Sequence, residues 1–167
     1  MNPGGDGGSD GDDDSGARRR ALRIDLDELC WALNSRDPYG LGSHWLDLES
    51  GALLFVSEAD APHEGNVDPR DDERWLRITP VESFEAFRIM EDFVEQCDDA
   101  RLADALAQAL RQRHPFRRFK DRLLDQPAQR AAWFAFEREA MAAIARRWCE
   151  DHGITPTWIV HRPAPPS

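Results

Sequence analysis

Two acidic residues, Asp47 and Glu49, stand two apart in a short β-rich run that begins His44-Trp45. Strand alternation puts both on one face, beside Trp45. Two carboxylates so placed can hold a divalent cation or divide acid and base roles. Farther on, the run His114 to Asp125 (HPFRRFKDRLLD) gathers Arg117, Arg118, Lys120 and Arg122 with two phenylalanines. Arginine forks match phosphate oxygens, and phenylalanine rings can stack on bases. Together these groups would suit a nucleic-acid or phosphoester-processing enzyme that uses Asp47 and Glu49 with Arg117 or Arg118. The context for it is incomplete. No Glu-x-Lys follows the carboxylates, and no glycine-rich phosphate loop is present. Cys149-x-x-His152 has a zinc-like spacing, but no second ligand pair accompanies it. Cys97 reads as a core thiol, as does Cys30, and His152 as a cation near a helix C-terminus. No metal and no cofactor is expected.

The elements that carry these residues divide the basic run. On a helical wheel stepped by about 100° per residue, Phe119, Leu123 and Leu124 share an apolar arc with Phe116. Lys120, the only lysine of the chain, falls inside that arc, and Arg118 and Arg122 point away. On the last long helix Glu137 falls within the arc of Trp133, Met141 and Ile144. A buried charge must pair, snorkel or neutralise. The wheel therefore raises a partly buried Lys120–Glu137 ion pair, with both side chains reaching solvent over the rim as the alternative. Phe116, Phe119, Lys120, Leu123, Trp133 and Glu137 are read as structural. Trp45, Asp47, Glu49, Arg117, Arg118 and Arg122 make up the candidate contact surface.

Composition narrows the partners. The 167 residues favour one domain, and 41% hydrophobic content with six tryptophans favours a folded one. The net charge is −11. Five aspartates and three arginines in residues 1–20 leave −9 on the remainder, so the folded part is itself acidic. An acidic surface disfavours nucleic acid and anionic membranes, and a protein partner is the better expectation. Cys30, Cys97 and Cys149 are widely spaced and odd in number, which suits reduced thiols in the cytoplasm. No apolar run reaches membrane-spanning length.

Along the chain, residues 1–20 read as a disordered Gly/Asp-rich tail, 21–162 as a single globular domain, and 163–167 as a loose proline-rich tail. Asp25 and Glu28 mark a helix start, with Leu26, Leu29, Cys30 and Leu33 as its stripe. Residues 44–57 predict a β-hairpin about Ser50-Gly51. With a two-residue turn Leu48 would face Leu53, and Leu46 would face Phe55, as a core face. Residues 58–73 read as a surface loop and Trp75–Ile78 as a third strand. A helix then carries Phe84, Phe87, Met90, Phe93, Val94 and Cys97 on one side. A second carries Leu102, Ala105, Leu106, Ala109 and Leu110. Pro115 opens a short helix, and a long one runs to a glycine cap at Gly153. Residues 155–160 read as an edge strand or docked tail. The fold class is α+β: an N-terminal helix and a small antiparallel sheet (hairpin plus third strand) packed on a C-terminal bundle of about four helices.

Several separated blocks occur in a familiar order: RIDLDELC from Arg23, WLDLESG from Trp45, FEAFRIMEDFV from Phe84, FRRFKD from Phe116 and WFAFE from Trp133. In these the chain resembles number 0158 of the UPF series of uncharacterised bacterial proteins, over roughly residues 23–153. The resemblance implies a compact intracellular α+β protein and carries no activity, cofactor or catalytic residue. The functional expectation is a non-catalytic interaction or regulatory module, with the phosphoester enzyme above as the alternative.

Overall fold

The computed structural model describes residues 19–37, 39–59 and 68–161. The expected tails, 1–20 and 163–167, lie outside them except for Arg19 and Arg20, and Arg20 is a correction, since it opens a strand; half of the 58–73 loop, residues 60–67, lies outside them too.

Local signals set the helix boundaries. Asp25 ends strand β1 (Arg20–Asp25) and caps helix α1 (Leu26–Asn34), its Oδ1 accepting from Glu28 N–H at 3.0 Å. The carboxylate satisfies one of the donors that a helix start leaves unpaired. Helix α2 spans Ser83–Gln96, and α3 spans Ala100–Leu110. Asp99 caps α3 through Arg101 and Leu102 N–H. Pro115 and Pro127 stand in the first turns of α4 (Pro115–Leu123) and α5 (Pro127–Asp151), where a missing N–H costs nothing. His114, just before α4, takes left-handed φ 57° and turns the backbone into that helix. Gly153, φ 68°, ends α5 as expected.

The chain forms two small sheets. Strands β2 (Gly42–Asp47), β3 (Leu53–Ser57) and β4 (Trp75–Ile78) form an antiparallel sheet in the order β3-β2-β4. The hairpin register differs from the expected one by two residues: Leu46 pairs with Leu53 and His44 with Phe55. The turn is longer than two residues, because Asp47 N–H pairs with Ala52 O and Gly51 N–H returns to Asp47 O. A two-residue slip keeps each side chain on its expected face. The second sheet is parallel, β1 with β5 (Ile154–Ile159), from Arg20↔Ile154 to Asp25↔Ile159. The sequence reading placed no strand at β1.

Two cores result, and α5 enters both. The first gathers Ile24, Leu29, Leu33, Leu46, Ile78 and Ile154 around Met141, Ala145 and Cys149 of α5. The second gathers Phe93, Leu106, Phe119 and Leu123 around Trp133 of the same helix. Trp133 lies 4.8 Å from the Phe119 ring and 5.3 Å from Phe93, in edge-to-face arrangements. Four helices, α2 to α5, make the C-terminal bundle, and the α+β architecture is as read from the sequence. Phe84 is a correction: it is exposed at the start of α2, on the first turn, beyond the end of the second core.

Candidate functional site

The two carboxylates do not form an open pair. Asp47 is 3% exposed, on the central strand β2, so it is no part of the expected contact surface. Arg74 Nε donates to its Oδ1 at 2.8 Å and Arg74 Nη2 to its Oδ2 at 2.7 Å. Glu49 N–H and Ser50 Oγ–H supply a third and fourth donor, at 2.9 and 2.6 Å. Four donors use up the two oxygens' acceptor sites. The Arg74 fork holds the Asp47 carboxyl well below the usual carboxylate range, against an opposing push from burial. Arg74 also reaches Glu49 at 3.1 Å. The cation that joins Asp47 and Glu49 is thus Arg74, 27 residues on, and not Arg117 or Arg118. Trp45, on the same strand, is buried as well and offers no contact surface.

Arg117 and Arg118 are occupied locally on α4. Arg117 Nε lies 3.9 Å from Asp121 one turn on, and Arg118 Nε donates to Arg113 O at 2.9 Å. Both are exposed, as is Arg122. Phe119 and Leu123 are fully buried, and Phe116 is half-buried with the Arg36 guanidinium over its ring at 4.5 Å. Of the two alternatives for Lys120 and Glu137, the ion pair does not form. Lys120 reaches solvent, and half-buried Glu137 accepts from Asn34 Nδ2 at 3.3 Å. Both line a cavity of about 300 Å³ with Arg36, Phe116 and Trp133. A flexible lysine stem can lie along that apolar wall and still keep its charge in water. Cys149 is wholly buried, which pushes its thiol up to about 11, and His152 Nδ1 meets Trp148 O. The two do not form a ligand pair.

A larger concavity is one the sequence reading missed. A groove of about 750 Å³ lies between the end of α1, the segment after it, and the sheet. Trp31, Tyr39, Leu41 and Phe55 line it, and Trp31, Tyr39 and Phe55 are 65%, 82% and 51% exposed. His44 forms the floor between Trp31 (5.1 Å, edge-on) and Phe55 (5.0 Å). Its Nε2 is buried without a hydrogen-bond partner, and burial keeps the imidazole below its ordinary pKa, so it is neutral at pH 7. Gly42 permits the arrangement, since a β-carbon there would run into the Phe55 ring and the Val56 carbonyl. Asp37 braces the segment by accepting from Tyr39 N–H at 3.0 Å and Gly42 N–H at 2.8 Å. Arg36 is anchored on Ser83 Oγ (3.1 Å) and Arg77 on Ser43 Oγ (3.0 Å) at the rim. One signal was available in the sequence: Trp31 stands off the stripe of Leu26, Leu29, Cys30 and Leu33, a large ring with no place in the core.

Comparison with known proteins agrees with this chain organisation. The model of the uncharacterised protein family UPF0158 matches residues 19–162, from the start of β1 to just past β5. The chain is 35% identical over 138 residues to the UPF0158 protein PA5073 of Pseudomonas aeruginosa, covering 82% of this chain and 88% of that protein. No solved structure matches. The chain belongs to the uncharacterised protein family UPF0158.

Proposed function

We propose that this protein is a non-catalytic interaction module that receives an extended peptide segment in the groove of Trp31, Tyr39, Leu41 and Phe55. One observation carries the reading: large apolar side chains cluster, exposed, around a single concavity. Isolated exposed apolar residues are ordinary, whereas a contiguous group rimmed by charge marks a contact surface. Aromatic rings are the residues that dominate binding energy at such surfaces. The floor fits this role better than catalysis. Neutral His44 is wedged between the Trp31 and Phe55 rings. The rim brings Arg36 and Arg77 next to an otherwise acidic protein, so the partner segment carries apolar anchors and polar or acidic flanks. Three free thiols fit a cytoplasmic setting. Among the described residues no helix is long and apolar enough to cross a membrane.

The test is capture of partners from a cell extract by the full chain and by a Trp31→Ala/Phe55→Ala variant, each with and without nuclease. The expected result is a protein that survives nuclease treatment and is lost with the double variant. Capture that depends on nucleic acid, or that is indifferent to the double variant, would reject the reading.

A further inference from the structure

The chain carries a segment whose chemistry suits its own groove. Residues 162–167 read Arg-Pro-Ala-Pro-Pro-Ser, with Pro163 and Pro166 at Pro-x-x-Pro spacing. Proline fixes φ near −65° and has no N–H to satisfy, so for proline-rich sequences in general the polyproline II helix carries little entropic cost. Grooves lined by aromatic rings recognise that helix, because flat rings pack between its ridges. Trp31, Tyr39 and Phe55 supply three exposed rings around one groove.

The position of the segment fits as well. His161, the last described residue, is tied through Nε2 to Asp25 Oδ2, and Asp25 caps α1. The last described residue therefore stands at the N-terminal end of α1. Trp31 lies six residues along that helix, about 9 Å at 1.5 Å per residue. Six residues of polyproline II span about 19 Å, enough to reach Trp31 and continue into the groove. The groove carries both signs of charge: Arg36 and Arg77 line it, and so does Asp37, which has no ion-pair partner among the described residues and is the group that Arg162, the first residue of the proline segment, would meet. The family match ends at residue 162, so Pro163–Ser167 stand outside the common pattern, whereas all the groove residues stand inside it.

We propose that the groove is a polyproline II docking surface and that residues 162–167 of the same chain are its occupant. This rests on reading the groove as a peptide surface. Docked in this way, the segment would compete with any external partner.

The test uses the full-length ¹⁵N-labelled chain, with the Trp31 indole N–H signal identified by its loss in Trp31→Phe. A Pro163→Ser/Pro165→Ser/Pro166→Ser variant should move the Trp31 indole and the Tyr39 and Phe55 amide signals and leave the Trp133 indole in place. Adding the synthetic peptide Arg-Pro-Ala-Pro-Pro-Ser to that variant should return the groove signals towards their original positions in a saturable way. Groove signals that ignore the triple substitution, or that ignore the peptide, overturn the proposal. Partner capture separates this failure from the broader one. If a partner is still lost with Trp31→Ala/Phe55→Ala, the interaction reading stands with a different occupant. If capture is also indifferent to the groove, both fall.

Discussion

At the scale of single residues, Asp47 shows how a candidate catalytic carboxylate becomes a structural one. Its four donors come from Arg74, Ser50 and the Glu49 backbone, so removing the carboxylate strands a guanidinium and loosens the hairpin turn. Asp47→Ala should cost about 3 kcal/mol in urea unfolding, the low end for a broken buried pair, because Arg74 keeps access to water. The pH dependence has a definite sign. The native pKa lies far below the roughly 3.9 of an unfolded aspartate, so the contribution is complete above about pH 4 and drains as pH falls toward the native value. The stability gap between wild type and Asp47→Asn should therefore narrow between about pH 4 and pH 2, and a constant gap would contradict the pair. His44 titrates higher. Burial lowers its native pKa below the unfolded value near 6.5, so the unfolded chain binds the proton first. Wild type should lose stability as pH falls from about 6.5 toward 5, and His44→Phe should lose less, as read from unfolding midpoints.

Elements show where sequence reasoning succeeds and where it stops. Asp25, Asp99, Pro115, Pro127 and Gly153 mark helix ends by chemistry that acts within a few residues, and the boundaries follow from them. The β1–β5 pair is not legible in the same way. Its partners lie about as far apart as the described chain allows, and β1 is a short run with two arginines among its six residues. The Asp47–Arg74 bond is hidden for the same reason, and the hairpin register shifted because Asp47 organises the turn with its own side chain. The groove was missed because Phe55 alternates as a core residue should, yet it lies on an edge strand whose outer end has no cover. The basic helix α4 buries Phe119 and Leu123 and half-buries Phe116, and Leu124 just after it is exposed. Phe119 has 0% exposure against Trp133 and Phe93, so Phe119→Ala should cost about 3–5 kcal/mol. Arg118→Ala, exposed with one backbone contact, should stay within about 0.5 kcal/mol. Chemical denaturation of the two variants side by side checks both, and similar costs would mean that α4 packs through its basic face.

The whole molecule is two cores joined by one helix. Helix α5 is 25 residues long, about 38 Å, and gives Trp133 to the second core and Met141, Ala145 and Cys149 to the first. Ile89 of α2 packs against both clusters, so the seam between them is apolar as well. A helix interior propagates order along its length once formed. Losing either core would leave half of α5 without its buried face, so neither core should persist alone. Leu106→Ala tests this from one end, because Leu106 is fully buried in the second core and its truncation should cost about 2–5 kcal/mol. The readout is native-state hydrogen exchange at amides of α1 in the first core and of α3 in the second. If α5 couples the cores, the slowest-exchanging amides of both helices lose protection by the same free energy in Leu106→Ala. Protection that falls in α3 and holds in α1 would show two units that unfold separately, with α5 fraying at the seam. The groove lies on the α1 side, at the first core. Coupled cores would therefore hold the groove rigid through packing at the far end of the protein, and a peptide bound there should raise protection in α3 as well as in α1.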